Sequence, residues 1–308
     1  MITKLLQLTH KVGWLMLIFG LLLQYGIKDR LPGLSLLFYG MPKPMLLALA
    51  VTLMVWPKVS WKSRFFVAVI SLVLSWTWAE SSWRSQAPTF AQRDAANEVR
   101  IMFWNLDRPL GLHQGMIDLV KEFQPHFAGF VEPGKIDMEA KCKSYEEALP
   151  GYQAAWMPRG ILWLSKVPSR YRARGKLENI GAFARFEVNG LGPAFPVVVA
   201  DVFQHPFHLR QNQLQEVKDH AQGHSDAILM GDFNTPLESV YLDAYRADFT
   251  NALEAAGQGF KETWPMGLPL LSLDQIWLGR DWEVVEARKV TQPSASDHAA
   301  LLVTLRRR

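Results

Sequence analysis

Cysteine is almost absent: Cys142 stands alone among 308 residues. A disulfide within the chain and a zinc site built from several thiolates are both excluded, because each needs at least two cysteines. Acidic residues are scarce in the first third. Residues 1–97 hold 10 Lys and Arg against 3 Asp and Glu, whereas residues 98–308 hold 23 against 26. The formal net charge of +4 therefore belongs to the N-terminal segment. A nucleic-acid-binding domain usually carries its own basic footprint, and the C-terminal two thirds do not. Disorder is excluded too, since 49% of the residues are hydrophobic and only 20% charged. There is no phosphate-binding glycine loop, no internal repeat and no low-complexity segment.

Long apolar runs, in contrast, are plentiful before Glu80. One extends from Val12 to Ile27, interrupted only by Gln24. A second extends from Leu34 to Trp56 with Pro42-Lys43-Pro44 inside it, and a third from Phe65 to Trp78. A helix needs roughly 20 apolar residues to cross a bilayer core, with ~17 near the lower limit. None of the runs shows a polar face at helical spacing, as a buried helix of a soluble protein would. A cleaved signal peptide would explain only the first run, and no A-x-A-like site follows it. About three transmembrane helices are expected over residues 1–79, then a polar linker over 80–97. Lys4 and Lys11 precede the first run, and Lys58, Lys62 and Arg64 separate the second from the third. The positive-inside tendency places both basic segments on the cytoplasmic side. An odd number of spans then puts the remainder outside the cytoplasm.

From Glu98 the pattern changes to short apolar runs, turn residues and amphipathic stretches. Val99–Trp104, Phe127–Val131, Ile161–Leu164, Ala182–Val188, Pro196–Val202, Ala227–Met230, Leu271–Trp277 and Ala299–Leu305 read as strands. Gly115–Phe123 and Gln211–His220 read as helices. The mixture follows no regular βαβ period and predicts an α+β domain over residues 98–308. The basic run Arg170–Lys176 reads as a solvated loop, with a phosphate-facing patch as the alternative. His10, His113, His126, His208, His220 and His224 read as surface or core residues.

Five signatures sit just after apolar runs: Trp104-Asn105-Leu106, Phe130-Val131-Glu132, Gly231-Asp232-Phe233-Asn234, Leu273-Asp274-Gln275-Ile276 and Ser296-Asp297-His298. Loops at strand ends collect function because a rigid scaffold positions them. Carboxylate and amide oxygens are the donors that hard Mg²⁺ or Mn²⁺ prefers, and a histidine beside them can act as acid, base or hydrogen-bond donor. Taken singly, each has an ordinary explanation. Asp-x-Asn after a strand is a common Asx turn, Asn105 could cap a turn, and Glu132 could be a solvated loop end. Their joint order carries the argument.

In that order and spacing the chain resembles the endonuclease/exonuclease/phosphatase superfamily, with Gly-Asp-Phe-Asn-Thr-Pro and Ser-Asp-His the specific pieces. Over its whole length it is similar to membrane-tethered bacterial members. The resemblance implies a four-layered α/β sandwich of the DNase I-like fold and hydrolysis of phosphodiester or phosphomonoester bonds with Mg²⁺ or Mn²⁺. It assigns Glu132 as the principal metal ligand, with Asn105 and Asp297 as further metal contacts. Asp232 would orient or deprotonate the attacking water, Asn234 would position the phosphate, and Asp274 would hold the final histidine, His298. Substrates of this class are nucleic acids, phospholipids or phosphorylated metabolites. The implied location is a bacterial cytoplasmic membrane, crossed several times, with the catalytic domain on the outer side.

Two positions depart from the family pattern. Members usually carry a histidine at the end of the strand that here reads Val197–Val202. Ungapped, that place falls on Phe203, and His205 follows two residues later, where a bulge could bring it into the site. His205 is thus a candidate catalytic residue. Gln275 stands where His or Tyr is more usual, and is expected to tune the pocket. Tyr171 and Arg172 lie where the family places a mid-domain Tyr or Arg. A different class of function, a catalytically weak membrane scaffold retaining the fold, is favoured by the displaced histidine and opposed by Glu132, Asp232 and His298.

Overall fold

A computed structural model describes residues 2–31, 33–57, 59–84, 97–134, 137–203, 210–292 and 294–308. The chain forms two compact units, one of residues 1–83 and one holding the described residues from 84 onward.

The N-terminal unit is helical: α1 (Ile2–Leu22) continues as a π-helical turn (Leu23–Ile27), followed by α2 (Leu34–Gly40), α3 (Lys43–Met54) and α4 (Trp61–Ser82). Two segments, Lys4–Ile27 and Trp61–Ser82, are long and apolar enough to cross a membrane. The expected second span is a pair, α2 and α3, bent by 66°, and it counts as a third span only if the pair crosses as one. Prolines explain the break. Pro42 caps α3 and Pro44 lies in its first turn, where a missing N–H costs nothing, whereas neither could continue α2. Leu17, Leu46, Ala50, Leu53, Val67 and Leu74 form the buried seam. The buried Gln24 is satisfied within the unit: its Nε2 donates to the Phe38 and Met41 carbonyls at 2.8 and 3.1 Å. Leu15, Leu22, Phe65, Leu72 and Trp76 are exposed, an apolar exterior that water does not favour.

The second unit is a sandwich of two six-stranded sheets. Its strands are β1 (Glu98–Asn105), β2 (Phe127–Val131), β3 (Gln153–Met157), β4 (Ile161–Ser165), β5 (Ser169–Gly175), β6 (Ala182–Val188), β7 (Phe195–Asp201), β8 (Ile228–Asp232), β9 (Phe249–Asn251), β10 (Asp274–Gly279), β11 (Trp282–Val290) and β12 (Ala300–Arg307). One sheet has the order β11-β12-β1-β2-β4-β3, the other β9-β10-β8-β7-β6-β5. Each has one parallel pair near its centre, β1–β2 and β7–β8, within otherwise antiparallel neighbours.

Alternation along the strands divides the apolar residues into layers. Between the sheets lie Ile101, Phe103, Phe127, Trp163, Phe186, Val199 and Met230. The Trp163 and Phe186 rings stack there at 4.2 Å. The sheets come so close at Gly129 that a Cβ would lie 2.8 Å from Val199 and 3.0 Å from Met230. On the outer face of the first sheet, Met102, Trp104 and Phe130 pack with Met116 and Val120 of α5 (Gln114–Phe123) and Tyr145 of α6 (Met138–Ala148). On the outer face of the second, Val198, Ala200 and Leu229 pack with Leu214 and Val217 of α7 (Arg210–Asp219). Helix, sheet, sheet and helix make the four layers that the family resemblance implies. The basic run departs from its expected loop: Ser169–Gly175 is an edge strand, paired on one side only with β6.

Candidate active site

The parallel pairs decide where the chemistry collects. β1 and β2 run the same way, as do β7 and β8, so each pair delivers two C-terminal ends to one edge of its sheet. β10 begins at that edge, because Asp274 pairs in register with Asp232. His298 lies two residues before β12. Asn105, Glu132, Asp201, Asp232, Asp274 and His298 thus come from six strand ends to one edge of the sandwich.

Asn105 joins the two sheets. Its Nδ2 donates to Asp232 Oδ2 at 3.0 Å, and its Oδ1 accepts from the Asp107 amide at 3.0 Å. Asp232 Oδ1 accepts from the Asn234 amide at 2.9 Å, the Asx turn expected of Asp-x-Asn. Asn234 has a positive φ of 45°, and its Nδ2 donates to the Val202 carbonyl at 2.8 Å. His298 is held from three directions. Its Nδ1 lies 2.8 Å from Asp274 Oδ2, its amide donates to Ser296 Oγ at 3.0 Å, and its carbonyl accepts from Trp104 Nε1 at 2.8 Å. Ser296 Oγ in turn donates to the Asn105 carbonyl at 2.7 Å. The other ring nitrogen, Nε2, faces Asp232 Oδ2 at 4.0 Å and Asp297 Oδ1 at 3.7 Å.

These contacts set the protonation states. Burial alone would lower the His298 imidazole, but the charge and hydrogen bond of Asp274, then the charges of Asp232 and Asp297, outweigh it and raise it to about 10. Burial first, and the Asp274 charge second, push Asp232 up to about 6 against the opposing pull of His298 and the two hydrogen bonds. The arrangement is a protonated imidazole beside a carboxylate that ionises just below neutrality. That combination can accept a proton from water and stabilise a developing anion at once.

Glu132 follows β2 with a positive φ of 53°, its amide donating to the Gly160 carbonyl at 2.9 Å. Its carboxylate is paired with the Arg108 guanidinium. Burial raises its affinity for a proton; Arg108 and His298 oppose this, while Asp107 and Asp297 add to it. Asp297 is half exposed and accepts from Trp264 Nε1 at 2.9 Å through Oδ2. A divalent cation fits this chemistry. Asp232, Asp274 and His298 offer ligand atoms within 4.8 Å of one another, but an imidazole held protonated has no lone pair for a metal, so the donors left for the cation are oxygens. Asp274 Oδ1 is buried and has no hydrogen-bond partner among the described residues. Around Glu132 the donors are oxygens, and a guanidinium already stands against that carboxylate as a cation would.

Some expectations meet a different outcome. His205 lies outside the described residues. Gln275 does not face the site: its Nε2 donates to the Thr235 and Ser272 carbonyls at 2.7 and 3.0 Å, and its Oε1 accepts from Trp277 Nε1 at 2.7 Å. It pins the loop after Asn234 instead of tuning the pocket. Tyr171 and Arg172 sit on the edge strand β5, against Phe186 and Glu187 respectively, with two strands between β5 and Asp232.

Asp201, which the sequence reading leaves inside a strand, ends β7 in register with Asp232. Burial, then the neighbouring Asp232 and Glu132 charges, holds its carboxyl well above the usual range. Thr263 is a second residue not anticipated: its Oγ1 accepts from the Leu273 and Asp274 amides at 3.1 Å and fixes the start of β10.

A family model for the endonuclease/exonuclease/phosphatase family matches residues 102–298, well over half of the chain. The chain belongs to the endonuclease/exonuclease/phosphatase family. No curated protein matches it significantly. Among solved structures, the endonuclease/exonuclease/phosphatase from Bacteroides vulgatus superposes with a TM-score of 0.54 at 16% identity, over 68% of this chain and 99% of that one. The human Nocturnin catalytic domain with bound sulfate gives 0.52 at 20% identity, over 72% and 100%. A humanized D. rerio TDP2 gives 0.52 at 14% identity, over 68% and 99%. At these identities the likeness establishes the fold. Family membership makes the chain one of a group of hydrolases acting on phosphoester bonds.

Proposed function

We propose that the chain is a membrane-anchored, divalent-metal-dependent phosphoesterase. The observation that carries this reading is the buried 2.8 Å contact between His298 Nδ1 and Asp274, with Asp232 4.0 Å from the opposite ring nitrogen. Asp232 takes a proton from the attacking water as the water oxygen bonds to phosphorus and the bond to the leaving oxygen breaks. His298, kept protonated by Asp274, donates from Nε2 to a phosphoryl oxygen and stabilises the charge that gathers there. Asn234 and Asn105 hold Asp232 in place through the hydrogen bonds described above. Glu132, Asn105 and Asp297 are the residues that would hold Mg²⁺ or Mn²⁺, and the ion would supply Lewis-acid neutralisation of the phosphoryl charge.

The anchoring rests on the apolar, outward-facing side chains of α1 and α4 and on the length of the two spans. Residues 1–79 would form the membrane region, 80–97 a linker and 98–308 the catalytic region. The basic residues Lys58, Lys62 and Arg64 between α3 and α4 would lie on the cytoplasmic side of a bacterial inner membrane. Placing the catalytic region on the outer side requires the bent α2–α3 pair to cross as one span.

The test is hydrolysis by the full chain in detergent micelles. With Mg²⁺ or Mn²⁺, it is assayed against bis(4-nitrophenyl) phosphate, DNA, RNA, phospholipids and sugar phosphates, with Asp232→Asn as control. Turnover of at least one phosphoester, lost in the control, is expected; a folded protein that turns over none of them overturns the reading.

A further inference from the structure

A cleft of about 560 Å³ opens beside the catalytic cluster and shares Glu132 and Asp201 with it. One wall is the β3–β4 hairpin, which contributes Trp156 and Arg159; the facing wall contributes Ala182 and Phe203. Both aromatic rings show a large share of their surface, 39% for Trp156 and 43% for Phe203. Two features of Arg159 are unusual. It adopts φ 81° directly before Gly160 at φ 84°, and a left-handed backbone is costly for any residue with a Cβ. Among the described residues its guanidinium also meets no carboxylate or carbonyl within bonding distance. The neighbouring Arg108, in contrast, is paired with Glu132. The position of Arg159 is fixed all the same. The next residue's carbonyl accepts the Glu132 amide at 2.9 Å, and Met157 and Ile161 close the hairpin in register.

The hairpin turn itself calls for a positive φ after Pro158, but glycine or asparagine usually meets that need. Here an exposed arginine does, and it brings to the rim of the cleft a cation with no carboxylate partner among the described residues. Strain of this kind collects where function requires it. The charges at the inner end of the cleft are acidic, so a free anion would be repelled there. An anion attached to a phosphoester already seated at His298 would not be.

We infer that Arg159 is a specificity-determining residue that binds a second phosphate on the substrate, remote from the scissile one, with the connecting part of the molecule lying against Trp156 and Phe203. This rests on the phosphoesterase reading and adds a substrate class to it: phosphoesters that carry two phosphates. The two phosphates can be joined by a nucleoside, whose base would stack on the exposed rings, or by a sugar.

Binding separates this inference from the hydrolytic reading. Calorimetry on the full chain in micelles with Mg²⁺ would compare a nucleoside 3′,5′-bisphosphate with the 3′-monophosphate, and glucose 1,6-bisphosphate with glucose 1-phosphate. At least one bisphosphate should bind about tenfold more tightly than its monophosphate, as a charge-assisted contact near solvent provides. Arg159→Gln should erase that preference and leave monophosphate binding unchanged. Loss of affinity for the nucleoside pair alone in Trp156→Ala identifies the nucleoside source; an unchanged pattern identifies the sugar. Arg159→Gly should bind like Arg159→Gln yet melt about 2–4 °C higher, since the strain is relieved. If neither bisphosphate is preferred, or the preference survives in Arg159→Gln, the inference is wrong. Failure of hydrolysis with the preference intact would instead count against the catalytic reading.

Discussion

Asp274→Asn removes one charge from the site without changing the outline of the side chain. Asp274 is fully buried, and its Oδ2 lies 2.8 Å from His298 Nδ1. His298 stands at about 10 in place of 6.5, although burial pulls the other way. At roughly 1.4 kcal/mol per pKa unit, that rise corresponds to about 5 kcal/mol in favour of the imidazolium. Asp274 supplies the leading share, and Asp232 and Asp297, at 4.0 and 3.7 Å, supply less. In the variant the imidazole should therefore titrate well below its present value of about 10. The sign follows directly. His298 acts while protonated, so the alkaline limb of kcat/KM should move down from near 10 toward neutrality. Asp232 acts while ionised; losing the Asp274 charge should move its acid limb below 6, the value at which burial and that charge hold it. Turnover at the optimum should fall by about two to four orders of magnitude, the usual scale for an acid–base or electrostatic group. Because the pair acts as one unit, adding His298→Ala should cost little more. The stability of the fold carries the same signature. A histidine raised from 6.5 to about 10 contributes stability that is complete below 6.5 and lost as pH rises through 10. The assay is a pH–rate profile on a chromogenic phosphodiester, with melting temperatures of both single variants and the double. An alkaline limb that stays near 10 in Asp274→Asn, or normal turnover in folded His298→Ala, would refute the assignment.

Exhaustive chelation with EDTA should abolish hydrolysis and Mg²⁺ or Mn²⁺ should restore it; Glu132→Gln should weaken Mn²⁺ binding, read by calorimetry, at least tenfold. Full activity after complete metal removal would sink this part of the reading. A reporter fused after Arg308 should be active outside the cytoplasm, the outcome of three crossings; activity confined to the cytoplasm would indicate that the α2–α3 pair does not cross. Gly129→Ala should destabilise the catalytic unit by about 1–3 kcal/mol through overpacking, because its Cβ would stand 2.8 Å from Val199 in the facing sheet. Denaturant melts of the variant that match the parent would show that the sheets can part there without cost.

The sequence exposes those elements whose residues are buried on both faces or on one regular stripe. Phe127–Val131 is read to the residue because continuous burial on a central strand leaves a continuous apolar word, and Ala182–Val188 because its partly buried Arg185 and Glu187 alternate with buried apolar residues. Edge strands escape for the opposite reason. Ser169–Gly175 is largely exposed and is bulged between Tyr171 and Ala173, so its period of two is broken and three arginines lie along it. Trp282–Val290, also an edge strand, is bulged between Val284 and Glu286 and leaves no regular period either. Gln153–Met157 has a single neighbour and a mixed burial pattern. What holds these strands is the backbone of a partner far away in sequence, which no local pattern records.

The same division runs through the site. Asp232 and Asn234 are legible because their contact is local, a turn that one short motif encodes. Asp201 is not, because it owes its place to register: only the parallel pairing of β7 with β8 sets it beside Asp232. Arg159 is likewise placed by the Gly160 carbonyl that holds Glu132. Register also accounts for the electrostatics. Four carboxylates, Glu132, Asp201, Asp232 and Asp274, converge at one edge, with Asp297 close by. The cations that act on Asp201 and Glu132 are Arg108 and His298. Repulsion among buried carboxylates is relieved by taking up protons or by binding a cation. Protonation would disarm Asp232 as a base, so a cluster that works near neutral pH is better neutralised by a metal, with Arg108 yielding Glu132 when the ion arrives. Weakening Arg108 alone, as in Arg108→Gln, should therefore strengthen Mn²⁺ binding, whereas a guanidinium that serves only to hold Glu132 in place would leave the affinity lower.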